Sequence, residues 1–160
     1  MDHFEALKKF PLLKDITDDE LKELIKLLTE NKFAKGDKII TEGDEGNVMY
    51  VLIAGSVDII KTTIYGEKFV CATLDDSMHP VFGEMALLDN DKRSATVMAK
   101  TECITLSIDT KSFNEYIDKY PRAGIVLLKL MNLNLIRNIR VENENLKLVY
   151  QALIEEIESN

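Results

Sequence analysis

Tryptophan is absent from these 160 residues, and cysteine, histidine and proline are scarce, at two, two and three. Two cysteines cannot build the disulfide framework of a small secreted domain, nor supply the four thiolates of an iron–sulfur cluster. Cys71 and Cys103 both lie in runs that read as strands; a disulfide between neighbouring strands is one reading, but in a reducing cytosol two buried free thiols are expected. Two histidines, one near the N-terminus and one beside a proline, exclude the clustered imidazoles of a cupin-type metal site. They also leave no Ser/His or Cys/His arrangement for nucleophilic catalysis, and no paired carboxylates take over that role. The chain therefore reads as a binding protein rather than an enzyme, with no metal or cofactor expected.

Positive charge is also lacking. Asp and Glu outnumber Lys and Arg by 28 to 20, a net charge of −8, which repels nucleic acid and anionic membrane surfaces. No apolar run approaches the ~20 residues that span a bilayer. The opening Met1-Asp-His-Phe-Glu5 lacks the basic region and apolar core of a secretory signal. A cytoplasmic location is expected.

What is present describes an ordinary globular chain, 46% hydrophobic and 30% charged, long enough to bury a core. Residues 2–10 read as a short helix ended by Pro11. Thr17 and Glu20 form a capping box ahead of a helix whose Leu21, Leu24, Ile25 and Leu28 share one face. From Phe33 to Ile108 short runs rich in Val, Ile, Thr and Tyr alternate with turns, the texture of a closed antiparallel β structure. Gly36, Gly43, Gly46, Gly55 and Gly66 fit those turns as residues of positive φ. Asp109 caps a further helix with Phe113, Tyr116, Ile117 and Tyr120 on its core face, and Pro121 suits the first turn of another.

That last helix is unusual. Residues 123–136 are apolar almost all the way round, so they need a second surface besides the β structure. Leu146, Val149, Tyr150, Leu153, Ile154 and Ile157 then resume a stripe to the end, and no glycine or proline interrupts residues 137–147. That absence favours one continuous helix over a break near Val141-Glu-Asn-Glu-Asn145, where three asparagines in residues 138–145 are mediocre helix formers. The simplest second surface is a twofold mate, with Leu128, Met131, Leu135 and Asn138 at heptad-like intervals along the seam.

The most informative stretch is Phe82-Gly-Glu-Met-Ala-Leu-Leu-Asp-Asn-Asp-Lys-Arg-Ser-Ala-Thr-Val97. Gly83 lets backbone amides approach an anion, and the short helical turn after it directs N–H groups at the same point. Arg93 adds a permanently charged, planar fork; in isolation a surface ion pair with Asp89 or Asp91 is the favoured reading, and inside this motif ligand contact is expected. Glu84 is repulsive beside a phosphate unless it faces something neutral, and a ribose hydroxyl is the natural donor to it. The spacing reads as a nucleotide site in which Gly83 alone among the glycines serves the ligand.

Together with Phe33-Ala-Lys-Gly-Asp-Lys-Ile-Ile-Thr-Glu-Gly-Asp-Glu-Gly-Asn-Val-Met-Tyr-Val-Leu-Ile-Ala-Gly-Ser-Val57, this stretch resembles the cyclic nucleotide-binding domains of catabolite-activator regulators, cyclic-nucleotide-dependent kinases and gated channels. The resemblance covers nearly the whole chain and implies an antiparallel β-roll, jelly-roll-like, with N-terminal helices and a long C-terminal helix. It divides the chain into N-terminal helices at 1–32, the roll at 33–108 and C-terminal lid and dimerisation helices at 109–160. It also implies roles. Arg93 matches the arginine that pairs with the cyclic phosphate and Glu84 the acceptor for the ribose 2′-hydroxyl. Gly83, Met85 and Ala86 match the turn whose amides line the phosphate, and Ser94 and Ala95 complete it.

The chain departs from the family in three places. Ser77-Met-His-Pro-Val-Phe82 replaces a glycine-containing turn, so the loop entering the site takes an unusual path. Lys92 replaces a proline before the arginine. The Thr-Ser pair that meets adenine in some bacterial members is missing, and Asn138 falls nearest its place as the candidate for reading the base. Ser94 is not the threonine frequent in cyclic-GMP-selective members, which favours cyclic AMP. No helix-turn-helix follows before Asn160, so direct DNA binding is not expected. The expected function is a regulatory module that binds a cyclic nucleotide and signals through its C-terminal helices, as a homodimer or through a protein effector. The alternative is the same fold with a lost or changed ligand, serving as a dimerisation or docking unit.

Overall fold

In the computed structural model, which describes residues 2–89 and 91–159, the period of two along the strands sorts side chains between two cores. Asn90 of the polar turn and the chain-end residues Met1 and Asn160 lie outside the described residues. The third strand, β3 (Val48–Ala54), shows the sorting. Met49 and Val51 point into a core shared with the helices, while Leu52 and Tyr50 point into the interior between two sheets.

One sheet has the order β1-β8-β3-β6, from β1 (Thr29–Phe33), β8 (Cys103–Asp109), β3 and β6 (Val81–Phe82). The other has the order β2-β7-β4-β5, from β2 (Lys38–Ile40), β7 (Thr96–Ala99), β4 (Ser56–Thr62) and β5 (Lys68–Asp75). Every pairing is antiparallel. Ile40, Leu52, Val57, Phe82, Val97, Ala99 and Cys103 fill the space between the sheets. The expected β-roll with flanking helices is present.

The capping box at Thr17 and Glu20 is formed at the start of α2 (Asp18–Leu27). Asp109 accepts from the Ser112 amide at the start of α4 (Thr110–Lys119). Ahead of them, α1 (His3–Lys8) stops short of Pro11, which opens a 3₁₀ turn over Pro11–Asp15 rather than merely ending a helix. Leu13 of that turn joins Phe10 and Ile16 in the helix-side core. Strand pairing starts at Thr29, ahead of the expected Phe33, because β1 is a half-exposed edge strand without an apolar alternation to announce it.

The last helix, α5 (Pro121–Glu158), runs unbroken for 38 residues. Its buried positions are Ala123, Gly124, Leu127, Met131 and Asn134, all in the half that lies on the roll. Met131 is 1% exposed and belongs to the helix-side core, so it cannot share a seam with Leu128 and Leu135 as the heptad count suggested. The exposed apolar residues on the side away from the core include Ile125, Ile136, Ile139, Leu146, Tyr150, Leu153, Ile154 and Ile157, and beyond the roll Val141, Leu148 and Val149 are exposed as well. Among the described residues no helix is long and apolar enough to cross a membrane.

Candidate functional site

The two-residue strand β6 is what aims the motif. It pairs with β3 through Tyr50 opposite Phe82 and Val51 opposite Val81, and the Tyr50 and Phe82 rings stack at 5.4 Å. Gly83 follows at once, with φ +78, and a Cβ there would meet Arg93 Nη1 at 2.7 Å and the Val48 carbonyl at 2.9 Å. A side chain is excluded both by the backbone conformation and by what approaches it. The chain then enters α3 (Glu84–Asp89).

Arg93 reaches this junction from the loop before β7. Its Nη1 donates to the Gly83 carbonyl at 3.0 Å and its Nη2 to the Val48 carbonyl at 2.8 Å. Its backbone is clasped by the loop before β3, since Gly43 N–H donates to the Arg93 carbonyl and Arg93 N–H to the Asp44 carbonyl, each at 2.9 Å. The two sequence blocks that carry the family resemblance thus meet at one residue. Arg93 is buried, and among the described residues no ion pair joins it to Asp89 or Asp91.

Gly46 is not the turn glycine its sequence context suggests. Its φ is not positive, unlike that of Gly36, Gly43, Gly55 and Gly66. A Cβ at Gly46 would lie 2.3 Å from Arg93 Nε. This glycine makes room for the guanidinium rather than for a turn, so Gly83 is not alone in serving the site. Its place in the first block, before β3, separates it too far in sequence from Arg93 for spacing to disclose the contact.

Glu84 is 4% exposed, and burial raises its proton affinity above the usual carboxylate range. Its own backbone N–H, the Asn134 amide and the positive charge of Arg93 pull the other way. Burial similarly pushes the Arg93 guanidinium down, opposed by Tyr50 and Glu84. Asn134, from α5, donates to Glu84 Oε1 at 3.0 Å and to the Val81 carbonyl at 2.8 Å.

The remaining expected residues are distributed around this pair. Ala86 is buried, Ala95 half-buried, and Met85 and Ser94 are exposed. The Ser94 hydroxyl lies 3.9 Å from Met85 Sδ, so the two ends of the motif touch. Asn138 is exposed one turn beyond Asn134, and no hydrogen bond engages its side chain among the described residues. Asn134 was not anticipated. The available signal was a polar residue on the same face as Leu127 and Met131, inside a run that is otherwise apolar there.

The entry loop does take an uncommon path. His79 sits at φ 51, left-handed backbone, with its ring edge-on to Phe10 at 4.8 Å. Both cysteines are free, Cys103 buried and Cys71 half-buried, with burial raising the Cys71 thiol.

Comparison with known proteins identifies the family and the fold. Cyclic GMP-dependent protein kinase 2 of Homo sapiens is 33% identical over 116 residues, 71% of this chain but 15% of the kinase. A cyclic AMP-dependent protein kinase regulatory subunit of Yarrowia lipolytica is 34% identical over 106 residues, covering 66% of this chain and 26% of the subunit. The chain therefore spans only a small part of these relatives. A crystal structure of a cyclic nucleotide-binding domain from Methylobacillus flagellatus superposes with a TM-score of 0.82 at 20% identity, over 89% of this chain and 82% of that one, a likeness of fold. The family described as cyclic nucleotide-binding domain matches residues 30–120, the span from β1 through the Gly83–Arg93 junction to the end of α4, and the chain belongs to that family.

Proposed function

We propose that this protein is a cytoplasmic regulatory module, not an enzyme, that captures a cyclic nucleotide and answers by repositioning α5. The observation that carries the reading is the buried meeting of Arg93, Gly83 and Glu84 at the end of β6. A guanidinium has five N–H donors, and the bonds to Gly83 and Val48 engage two of its nitrogens, so donors remain for a cyclic phosphate. Glu84 takes the ribose 2′-hydroxyl. The amides of Gly83, Met85 and Ala86 line the phosphate, and Ser94 and Ala95 close the turn around it. Asn138, unengaged and exposed, meets the base.

Cyclic AMP is favoured over cyclic GMP because Ser94 stands where cyclic-GMP-selective members often carry threonine. The relatives include kinases named for either nucleotide, so the residue rather than the relatives supports the preference. A homodimer forms through the exposed side of α5, with a protein effector as the further partner. The acidic balance opposes direct binding to DNA or to anionic membranes. The free thiols suit a reducing cytoplasm.

Titration calorimetry with cyclic AMP and cyclic GMP tests the reading. Saturable heat with both, and tighter binding of cyclic AMP, is expected. No heat with either leaves the second reading, a fold that has changed its ligand and serves for docking. That reading draws on the Arg93 fork already resting on two carbonyls of its own chain.

A further inference from the structure

We infer that Asn134 is the positioning residue of the sugar site, holding the Glu84 carboxylate in place for a ribose hydroxyl and joining it to α5. The inference rests on the reading of Glu84 as the ribose acceptor.

Asn134 is 7% exposed, in a helix whose other buried residues are Ala123, Gly124, Leu127 and Met131. A leucine there would pack without stripping water from an amide, a step that is unfavourable unless the amide is fully bonded. Its two partners, the Val81 carbonyl and Glu84 Oε1, are both acceptors, so the NH₂ end must face them. One amide therefore bridges β6 and the first residue of α3, on either side of Gly83.

Without such an anchor the Glu84 side chain has three torsions with which to leave the sugar. With it, one carboxylate oxygen is held and the other remains to accept from a hydroxyl. Charge leads the same way. Burial favours the protonated form of Glu84, which would present a donor where an acceptor is needed. The groups that oppose this are Glu84's own N–H, Asn134 from α5 and Arg93 from the loop before β7, with Tyr50 of β3 beside Arg93. Of these, Asn134 alone rides on α5. A shift of that helix by more than about 0.5 Å stretches a 3.0 Å bond past useful length, so sugar capture and helix position are linked.

The test compares the affinity of full-length protein for cyclic AMP and 2′-deoxy cyclic AMP, in the parent, Asn134→Leu, Glu84→Gln and the double variant. The parent should prefer the ribose form by about tenfold or more. In Asn134→Leu that ratio should fall toward the Glu84→Gln value, while affinity for the 2′-deoxy nucleotide stays within about twofold of the parent. In the Glu84→Gln background the leucine should change the ratio no further. In Asn134→Leu the pH below which ribose preference is lost should also rise.

An unchanged ratio in Asn134→Leu, or equal weakening toward both sugars, overturns the role of Asn134 while leaving the site intact. A parent that binds but does not discriminate removes Glu84 from the ribose, and a parent that binds neither nucleotide overturns the site itself; each takes this inference with it. Should the leucine variant not fold, Asn134→Ala, which cannot clash, is read by the same ratio.

Discussion

At Arg93 one guanidinium has two duties. It completes the bonding of the Gly83 and Val48 carbonyls and it keeps charge available at the junction. Arg93→Ala removes charge-assisted bonds worth roughly 1.5–3 kcal/mol each, so nucleotide affinity should fall at least about tenfold in calorimetry. The melting temperature should fall as well, since two part-buried carbonyls lose their donor, at about 0.5–1.5 kcal/mol for each bond. An alanine variant as stable as the parent would mean that the inward bonds are dispensable. Gly46→Ala keeps the charge but puts a methyl group where the guanidinium lies, so it should weaken binding in the same direction without altering net charge. For Glu84 the effect on stability has the opposite sign. Its folded-state proton affinity is raised, so the folded protein binds more protons than the unfolded chain, and stability declines as pH climbs through the interval above the ordinary carboxylate value. Glu84→Gln should therefore melt above the parent at about pH 7, and the gap should close by about pH 4, where both states of the parent are protonated. Thermal melts across that range check it, and a glutamine variant less stable at neutral pH would contradict it.

At the scale of elements, the site is an assembly of short pieces held by long ones. The pieces β6 and α3 are anchored by β3 on one side and by α5 on the other, through Val81, Leu87 and Met131 of the shared core. Met131→Ala should destabilise the fold by about 2–4 kcal/mol, measured by chemical denaturation, because it opens a cavity where α5 meets the roll. Loss within experimental error would place Met131 at the surface. The elements legible in the sequence were those specified locally. The Thr17 and Asp109 caps act across one helical turn, whereas β3 is apolar throughout and its two faces are told apart only by what packs on each. The unbroken α5 followed from the absence of any breaker. What escaped was set by distant partners. Two residues suffice for β6 because β3 pairs with them, and Arg93 is buried because the loop carrying Gly46 folds over it. Asn134 is placed by a carboxylate 50 residues away, beyond the reach of any local pattern.

At the scale of the molecule, the net charge of −8 makes anion capture a local matter, and the far half of α5 is left without a surface of its own chain. Among the described residues, the Lys61–Glu142 pair at 3.0 Å ties roll to helix there, a half-exposed contact worth at most about 1 kcal/mol. Ile136, Ile139, Asn143, Leu146, Tyr150, Leu153 and Ile157 recur at alternating steps of three and four, the pattern of a coiled-coil seam. The steps place Ile136, Asn143, Tyr150 and Ile157 at one kind of seam position and Ile139, Leu146 and Leu153 at the other. A single asparagine among them suits two parallel strands in fixed register, and in that arrangement Glu142 of one copy faces Lys147 of the other. Leu146→Lys should therefore convert a dimer to a monomer in light scattering. It should leave monomer stability nearly unchanged, because Leu146 is 52% exposed within one chain. Asn143→Leu should act oppositely, tightening association while loosening register. If the parent is monomeric at high micromolar concentration with and without cyclic AMP, the stripe serves a different partner. If Leu146→Lys remains dimeric, the seam lies elsewhere on the molecule.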